Sequence, residues 1–337
     1  MITGSNWWEQ LQSQGVTLLA TLFLAIYLAS WADMKVGADL QARVGPNRAG
    51  RAGILQPLAN FLRTLLKVGP ISKVRKGGAS HLWWVHGLPL FMMAAVVPVS
   101  SGGPLLQAPL AIFTPLALGL LFSWSGLLMA WRLECVETRF WAIRQAALSL
   151  AAIPPALLSV VVAGLEAGGF EWAKIGQSQE FLPSGWILFS SPWAFIAGLI
   201  FFLCGALLFS MSPFSGAPLV GHSALSANSG KIGVREVWIS AGRRLAPICW
   251  NLMALEVFMG GSHLPAGLLA AAHGLPILET AFRILLLLLK LQCIDIGIVL
   301  VSRTLPVVRV EQSYDFAWRV LSPAAVLCLM AQRLVMR

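Results

Sequence analysis

Long apolar stretches separated by short polar loops run through the whole chain. A helix needs about 20 apolar residues to cross a bilayer. Eight stretches of roughly that length are present, near 16–35, 80–100, 109–131, 141–165, 189–210, 237–258, 278–301 and 316–335. The pattern predicts an all-α polytopic membrane protein, with residues 1–337 forming a single transmembrane domain. In the fourth stretch the pair Pro154-Pro155 predicts a kink, because proline removes a backbone donor.

One stretch after the first span has a different pattern. Residues 54–67 are too short to cross a bilayer, but their leucines recur at helical spacing, with Arg63 and Lys67 to one side. This predicts a short amphipathic helix that lies in the membrane interface. Pro57 falls in its first turn, where proline is tolerated. A helix of this kind can also serve as an anchor alone.

Composition agrees with the membrane assignment. The 337 residues are 57% hydrophobic and only 11% charged, with a mean hydropathy of +0.76, whereas about a quarter of the residues in a soluble domain are charged. The net charge of +10 would suggest nucleic acid in a soluble protein. Basic residues accumulate in the cytoplasmic loops of membrane proteins, so the expected partners are lipids and not nucleic acid.

The loop charges predict the orientation. Of the 24 Lys and Arg residues, nineteen fall in the loops 35–79, 132–144, 211–244 and 302–319. Three lie on the other side, and Arg283 and Lys290 lie within the seventh span. The bias alternates at every loop, so the positive-inside rule places both termini on the non-cytoplasmic side.

The cysteines do not form a metal-binding pattern. Four of the five fall within predicted spans and no two form a CxxC pair, the positions being Cys135, Cys204, Cys249, Cys293 and Cys328. They are interpreted as small buried hydrophobic residues, so no iron–sulfur cluster is expected on this chain.

The first loop carries the most specific motif. It reads DMKVGADLQARVGPNRAGRAGILQPLANFLRTLLK over residues 33–67. This resembles the quinone-module membrane subunit of respiratory complex I (its H subunit, also numbered 1), whose loop reads ERK and then QRxGPNRxGxxGxLQPxADxxKLLxKE. The matching residues are Asp33-Met34-Lys35, Gln41, Arg43-Val44-Gly45-Pro46-Asn47-Arg48, Gly50, Gly53, Leu55-Gln56-Pro57, Ala59, Leu65 and Lys67.

The rest of the chain fits the same frame. The family has a lysine in the seventh span followed by RATLPRFRYDQ, and this chain has Lys290 and then Ser302-Arg303-Thr304-Leu305-Pro306. Pro213-Phe214 fall at the family's PFD motif, and Gly260-Gly261 close the sixth span. The resemblance therefore covers nearly the whole length.

The resemblance implies a non-catalytic subunit of an NADH:quinone oxidoreductase in a bacterial inner membrane. It would anchor the cytoplasmic redox arm and wall a lipid-quinone passage. Quinone would be the substrate, this chain would hold no cofactor, and FMN and iron–sulfur clusters would lie in partners. Those partners would be antiporter-like and small membrane subunits and the cytoplasmic iron–sulfur and quinone-module subunits. The residues implied for the passage or docking loop are Asp33, Lys35, Arg43, Asn47, Arg48, Gln56 and Phe214.

The chain departs from the family in its acidic residues. After the fifth span the family reads roughly PFDLPEAExELVxGxxxEYSG, whereas this chain reads PFSGAPLVGHSALSANSGKIG. The family's carboxylates are replaced at several places, by Ser215, Pro218, Val220, His222, Gly230, Arg243, Ile153, Asn60 and Val68. A carboxylate near neutral pKa can pass protons, and these side chains, His222 aside, cannot. A single imidazole does not restore a chain of acids, so proton relay through this subunit is predicted to be weakened or rerouted.

Two ionisable residues in the seventh span are candidates for an ion path. Lys290 and Asp295 lie where a charge is costly and therefore functional by default, although five residues apart they do not share a helical face. Glu279 and Arg283 are interpreted as a simple i,i+4 pair. Two other functions stay open. One is a structural anchor of a hydrogenase-type or modified complex, and the other is an independent ion or solute transporter.

Overall fold

A computed structural model describes residues 7–66, 82–99, 103–106, 111–131, 136–214, 234–265 and 276–335. Every regular element within these ranges is helical, which agrees with the predicted all-α class. The loop 215–233, which carries most of the acid replacements, lies outside the described residues, and so does Cys135.

The helices follow the apolar stretches. In chain order they are α1 (Trp7–Leu40), α2 (Gln56–Leu66), α3 (Leu82–Val96), α4 (Thr114–Trp131), α5 (Val136–Glu166), α6 (Trp172–Gln177), α7 (Ile187–Ser190), α8 (Pro192–Leu208), α9 (Val234–Phe258), α10 (Pro276–Thr304), α11 (Val310–Phe316) and α12 (Ser322–Val335). A π-helical segment, Ala317–Leu321, joins α11 to α12 without a break.

Five helical stretches are long and apolar enough to cross a membrane. They are Gln14–Leu40, Thr114–Trp131, Arg139–Glu166, Ile277–Thr304 and Val310–Val335. Two further apolar helices, Trp84–Val96 and Pro192–Leu208, are shorter. The predicted sixth span, α9, is 25 residues long but carries Arg243, Arg244 and Glu256. The eight predicted spans therefore all correspond to helices, and five of them have the length and apolarity of a crossing.

The structure moves the boundaries of two helices from those predicted from the sequence. The predicted first span ends at 35, but α1 continues to Leu40, so Asp33 and Lys35 lie on a helix and not in a loop. The amphipathic helix, predicted over 54–67, begins at Gln56 and is described to Leu66. The pair Pro154-Pro155 lies inside α5, and the kink expected there stays a prediction.

The core lies where α5, α8 and α9 pack together, with α4 and α12 against α5. Trp250 of α9 stacks on Phe201 of α8, with ring centroids 4.5 Å apart and planes within 9°, and its Nε1–H donates to the Phe201 carbonyl at 3.2 Å. Gly205 gives the indole room, because a side chain there would overlap the Trp250 ring. Helix α1 packs along α10 at one side of this core.

Candidate functional site

The first loop folds back on the end of α1. Tyr27 donates its hydroxyl hydrogen to the Ile54 carbonyl at 2.5 Å, and the Trp31 indole N–H donates to the Ala52 carbonyl at 3.2 Å. Both aromatic residues lie on α1, one turn apart, so they hold the second half of the loop along the same helix face. The loop is therefore tied to the helix from which it emerges.

Glycines make this loop conformation accessible. Gly50 and Gly53 have φ of 77° and 72°, in the region that other residues adopt at a cost. Gly53 is buried, and a Cβ on it would overlap the carbonyl oxygen of Pro46. The Gly-Pro-Asn-Arg turn can therefore pack on the turn that precedes α2.

Asp33 joins α1 to the far end of α10. Its Oδ1 accepts a hydrogen bond from Arg303 Nη2 at 2.8 Å, and both side chains are about one-third exposed, at 37% and 32%. The guanidinium lies over Gly37, whose missing side chain leaves the space. Asp33 is thus a structural partner of the seventh span at this end of the bundle.

Three other predicted site residues pair along the loop. Lys35 Nζ donates to Asn47 Oδ1 at 3.1 Å. Gln56 donates to Asn60 Oδ1 at 3.0 Å within α2, and Asn60 Nδ2 lies 3.4 Å from the Met34 sulfur of α1. Asn60, where the resemblance implies an aspartate, therefore links α2 to α1 through neutral contacts.

Arg43 and Arg48 project from the loop. Arg43 is exposed and Arg48 lies at its surface. Within the described ranges neither forms an ion pair of 4.0 Å or less, since the pairs found are Arg144–Glu311, Arg283–Glu279, Arg303–Asp33 and Arg319–Asp315. Arg51, beside them, is exposed as well. The loop therefore presents positive charge outward, while Asn47 is bound to Lys35.

Phe214, the last of the predicted site residues, lies away from the first loop. It is 9% exposed and stacks on Phe316, with ring centroids 5.9 Å apart. The carbonyl of the preceding Pro213 accepts a backbone hydrogen bond from Val308 at 2.8 Å. The structure thus brings Phe214 to the segment before α12 and does not join it to the first-loop residues.

The two ionisable residues of α10 have separate partners. Asp295 is 8% exposed, and its Oδ1 accepts from Asn251 Nδ2 of α9 at 3.3 Å. Lys290 Nζ donates to the carbonyls of Met259 and Gly261 at 2.9 and 3.0 Å and lies 4.9 Å from the centre of the Trp186 ring. Lys290 and Asp295 therefore have different partners, but both face α9 or its end.

The end of α9 is a polar cluster that sequence reasoning missed. Glu256 packs against Gly261, where a Cβ would overlap its Oε2, and accepts a hydrogen bond from the Ser262 backbone N–H. The cationic side chains of Lys290 and Arg283 lie near enough to act on its carboxyl group. Arg283 in turn binds Glu279 at 2.8 Å, which confirms the predicted i,i+4 pair, and donates to the Ser262 carbonyl at 3.2 Å.

The Gln179 side chain caps the C-terminal end of α9. Its Nε2 donates to the carbonyls of Glu256 and Val257 at 3.0 and 3.2 Å, two of the carbonyls that a helix end leaves unsatisfied. Its Oε1 accepts from the Gly260 N–H at 2.7 Å. The only sequence signal for this arrangement was the Gly260-Gly261 pair, whose positive φ values of 66° and 39° let the chain turn here.

His263 borders the cluster in the loop after α9. Burial lowers the pKa of its imidazole below the ordinary 6.5, and the charges of Arg283 and Lys290 lower that pKa further. A hydrogen bond involving the Gly176 backbone raises it in part. His263 therefore stays neutral at neutral pH beside these charged side chains.

Sequence comparisons decide the family. The NADH dehydrogenase family model matches residues 13–333 of this chain. The chain belongs to that family. The H subunit of NADH-quinone oxidoreductase from Anaeromyxobacter dehalogenans is 29% identical over 96% of this chain and 84% of its own length. The corresponding subunit of Geobacillus kaustophilus is 24% identical over 93% of this chain and 90% of its own length. The resemblance based on the two end motifs is thereby confirmed.

The structure shows the surroundings of two residues that the resemblance predicts to replace acids. Ile153, where the resemblance implies a glutamate in the family, packs against the core cluster on α5. Arg243 of α9 acts electrostatically on His86, which is 7% exposed and lies 2.7 Å from Ser125 Oγ. Neither position can carry a proton as a carboxylate does, since Ile153 is apolar and arginine stays protonated.

Proposed function

We propose that this chain is a membrane subunit of a complex-I-type NADH:quinone oxidoreductase that anchors the cytoplasmic redox arm and walls a lipid-quinone passage. The observation that carries the proposal is the first loop, fixed to α1 by Tyr27 and Trp31 and leading directly into α2. Family membership over residues 13–333 supports the same assignment. Quinone is the proposed substrate, with FMN and iron–sulfur clusters in the partners.

Helix α2 is the proposed lipid-side wall of the passage. It has no buried residue, and its exposed apolar side chains include Leu58, Phe61, Leu62 and Leu66, at 40–77% exposure. Such a face is stable against acyl chains or the apolar tail of a quinone. Helices α1 and α9 both pack near α2, and Arg244 of α9 donates to Ser30 of α1 at 3.1 Å.

Arg43 and Arg48 are the proposed docking charges. Because they lie at the surface without an ion pair among the described residues, they can meet acidic groups of a cytoplasmic quinone-module subunit. The proposed topology has eight spans in a bacterial inner membrane, with both termini on the non-cytoplasmic side. The antiporter-like and small membrane subunits are the proposed lateral partners.

Replacement of Arg43 or Arg48 by alanine tests the docking role. We expect less of the cytoplasmic arm to copurify and slower quinone reduction, because each variant removes an unshielded positive charge. Arg333→Ala is the matched control, an exposed arginine at the end of α12, and should leave both unchanged. Normal copurification and normal turnover in both loop variants would refute the docking role.

Proton relay through this subunit is proposed to be weakened or rerouted, with Lys290 and Asp295 as its candidate ion path. If the relay is weakened, proteoliposomes of the purified complex should translocate few protons for each NADH oxidised. A stoichiometry equal to that of acid-rich relatives measured in parallel would contradict a weakened relay.

A structural anchor without quinone function is the second candidate. The observation that favours it is the sequence of 215–236, which is poor in acids and contains only Glu236. Gentle purification of the tagged chain and mass spectrometry separate the two functions. Flavin and iron–sulfur subunits with quinone turnover support the redox complex, partners without turnover support the anchor, and a lone chain supports a transporter.

A further inference from the structure

Arg244 is an exposed cation on a part of α9 that is otherwise covered. Among residues 241–250, all of which the structure describes, Arg244 alone is exposed. It lies seven residues (237 to 244) after the predicted start of the sixth span, which corresponds to a depth of about 10 Å. A charge within a membrane is costly, so an intramembrane arginine is expected to face a cavity or a partner.

The contact that the structure gives Arg244 does not neutralise its charge. Its Nη1 donates to the hydroxyl oxygen of Ser30 on α1 at 3.1 Å, and this acceptor is uncharged. None of the ion pairs found among the described residues includes Arg244. The first acid after Ser30 on α1 is Asp33, which Arg303 binds. The guanidinium therefore has no anionic acceptor on the part of the chain that the structure describes, although it carries five donors.

Arg244 lies where three helices meet. Helices α1, α2 and α9 each contact the other two. Ser30 stands on α1 between Tyr27 and Trp31, the two residues that hold the first loop, so the Arg244–Ser30 contact is close to the level of that loop and of α2. A long arginine side chain can extend from within a span to the headgroup level of a bilayer.

The chain around this junction is basic and contains no acid. Residues 40–66, which form the first loop and α2, hold four arginines and neither Asp nor Glu. Two of these arginines, Arg51 and Arg63, are exposed. Arg63 stands between Leu62 and Leu66, whose side chains are 48% and 77% exposed. An anionic phospholipid is complementary to both features, because it offers a phosphate to a guanidinium and acyl chains to the leucines.

We propose that Arg244 binds the phosphate of an anionic phospholipid at the junction of α1, α2 and α9, with the acyl chains along the exposed leucines of α2. The planar guanidinium can donate two parallel hydrogen bonds to a phosphate, and Arg63 adds a second positive charge on α2. An acidic protein surface would satisfy Arg244 but would offer no acyl chain to Leu62 and Leu66. The site goes beyond the proposed function, because lipid binding needs no quinone turnover.

The test uses the complete purified complex in phosphatidylcholine vesicles that contain a photoactivatable phosphatidylglycerol. Mass spectrometry measures the attachment of this probe to the chain as the share of probe in the vesicles is raised. In Arg244→Gln the apparent dissociation constant should rise about tenfold, because a charge-assisted contact to the phosphate is lost. Arg319→Gln is the matched control and should label as the wild type does. It removes an exposed arginine on the same predicted side of the membrane, 3.6 Å from Asp315.

Mapping and competition identify the site and the source of the phosphate. The attached probe should lie on peptides of α1, α2 or α9. Unlabelled phosphatidylglycerol should displace it, whereas phosphatidylcholine and inorganic phosphate should not. Displacement by inorganic phosphate, or attachment that is confined to other helices, contradicts a lipid site at this junction.

A conservative variant separates lipid binding from a structural role. Arg244→Lys keeps the charge but loses the planar fork, so its affinity for the probe should lie between those of the wild type and Arg244→Gln. If the glutamine variant does not assemble, the lysine variant decides, and wild-type affinity in it overturns the phosphate contact. Wild-type labelling of an assembled Arg244→Gln complex also overturns it, and a missing subunit in that complex would assign Arg244 to an acid of a protein partner.

Discussion

Arg303 and Asp33 form a 2.8 Å ion pair between residues 270 positions apart in the chain. The pair joins the end of α10 to the end of α1, close to the loop that carries the family's most specific motif. Gly37, one turn beyond Asp33, makes room for the guanidinium. The first loop therefore starts from a helix end that the seventh span holds in place.

The ion pair should contribute little stability by itself. Because both side chains are about one-third exposed, a double-mutant cycle with Asp33→Asn and Arg303→Gln should give a coupling of about 0.5–1 kcal/mol, measured by thermal unfolding of the purified complex. The more exposed Arg319–Asp315 pair, 3.6 Å apart, is the control, and Asp315→Asn should change the midpoint by less. A coupling of several kcal/mol would show that the pair is buried in the assembled complex.

Gly53→Ala should disrupt the loop. The substitution forces a Cβ onto a residue with φ of 72° and into the Pro46 carbonyl, so we expect a loss of about 3 kcal/mol or more and little assembled complex. Gly103→Ala is matched to it, since φ there is 82° but no atom of the described residues lies within 4 Å of the new Cβ. That control should cost only the backbone penalty, about 1–2 kcal/mol. Equal losses would show that the Pro46 contact is unimportant.

Tyr27→Phe should loosen the loop without changing the core. It removes the hydroxyl that binds the Ile54 carbonyl, at a cost of about 0.5–1.5 kcal/mol. Trypsin should then cleave faster after Arg48 and Arg51 in the detergent-purified complex. The chain's other tyrosine, Tyr314, is 43% exposed, and Tyr314→Phe should leave the cleavage rate unchanged. Identical rates for both variants would contradict the anchoring of the loop by Tyr27.

Because of His263, the free energy of unfolding should decrease on acidification. The pKa of His263 in the folded protein lies below 6.5, the ordinary value, so on acidification the unfolded chain takes up a proton first. The stability that the neutral His263 imidazole contributes is therefore fully present above pH 6.5. It decreases as the pH drops from there towards the lower pKa of the folded protein. In the wild type the melting temperature should decrease over this window more than in His263→Gln. Parallel pH profiles would contradict a buried neutral imidazole.

Local and compositional features were readable from the sequence. Apolar stretches predicted the helices because burial in a bilayer depends on residue type and length. The GPNR loop and the family were identified because their glycines, prolines and charges stand at fixed spacings. The Glu279–Arg283 pair followed from helical periodicity alone. Helix ends were less certain, since α1 lacks a strong stop signal before Gly45-Pro46 and continues past the predicted end to Leu40.

Contacts between distant segments were decided only by the tertiary structure. No sequence spacing indicates that Asp33 meets Arg303, that Asn251 meets Asp295, or that Gln179 binds the end of α9. By its position Glu256 resembles a wet residue near the interface, yet its Oε1 is buried beside the turn that binds Lys290. The reason is physical: hydrophobic periodicity fixes which residues enter the membrane, whereas the register of one helix on another depends on packing that sums over many weak contacts.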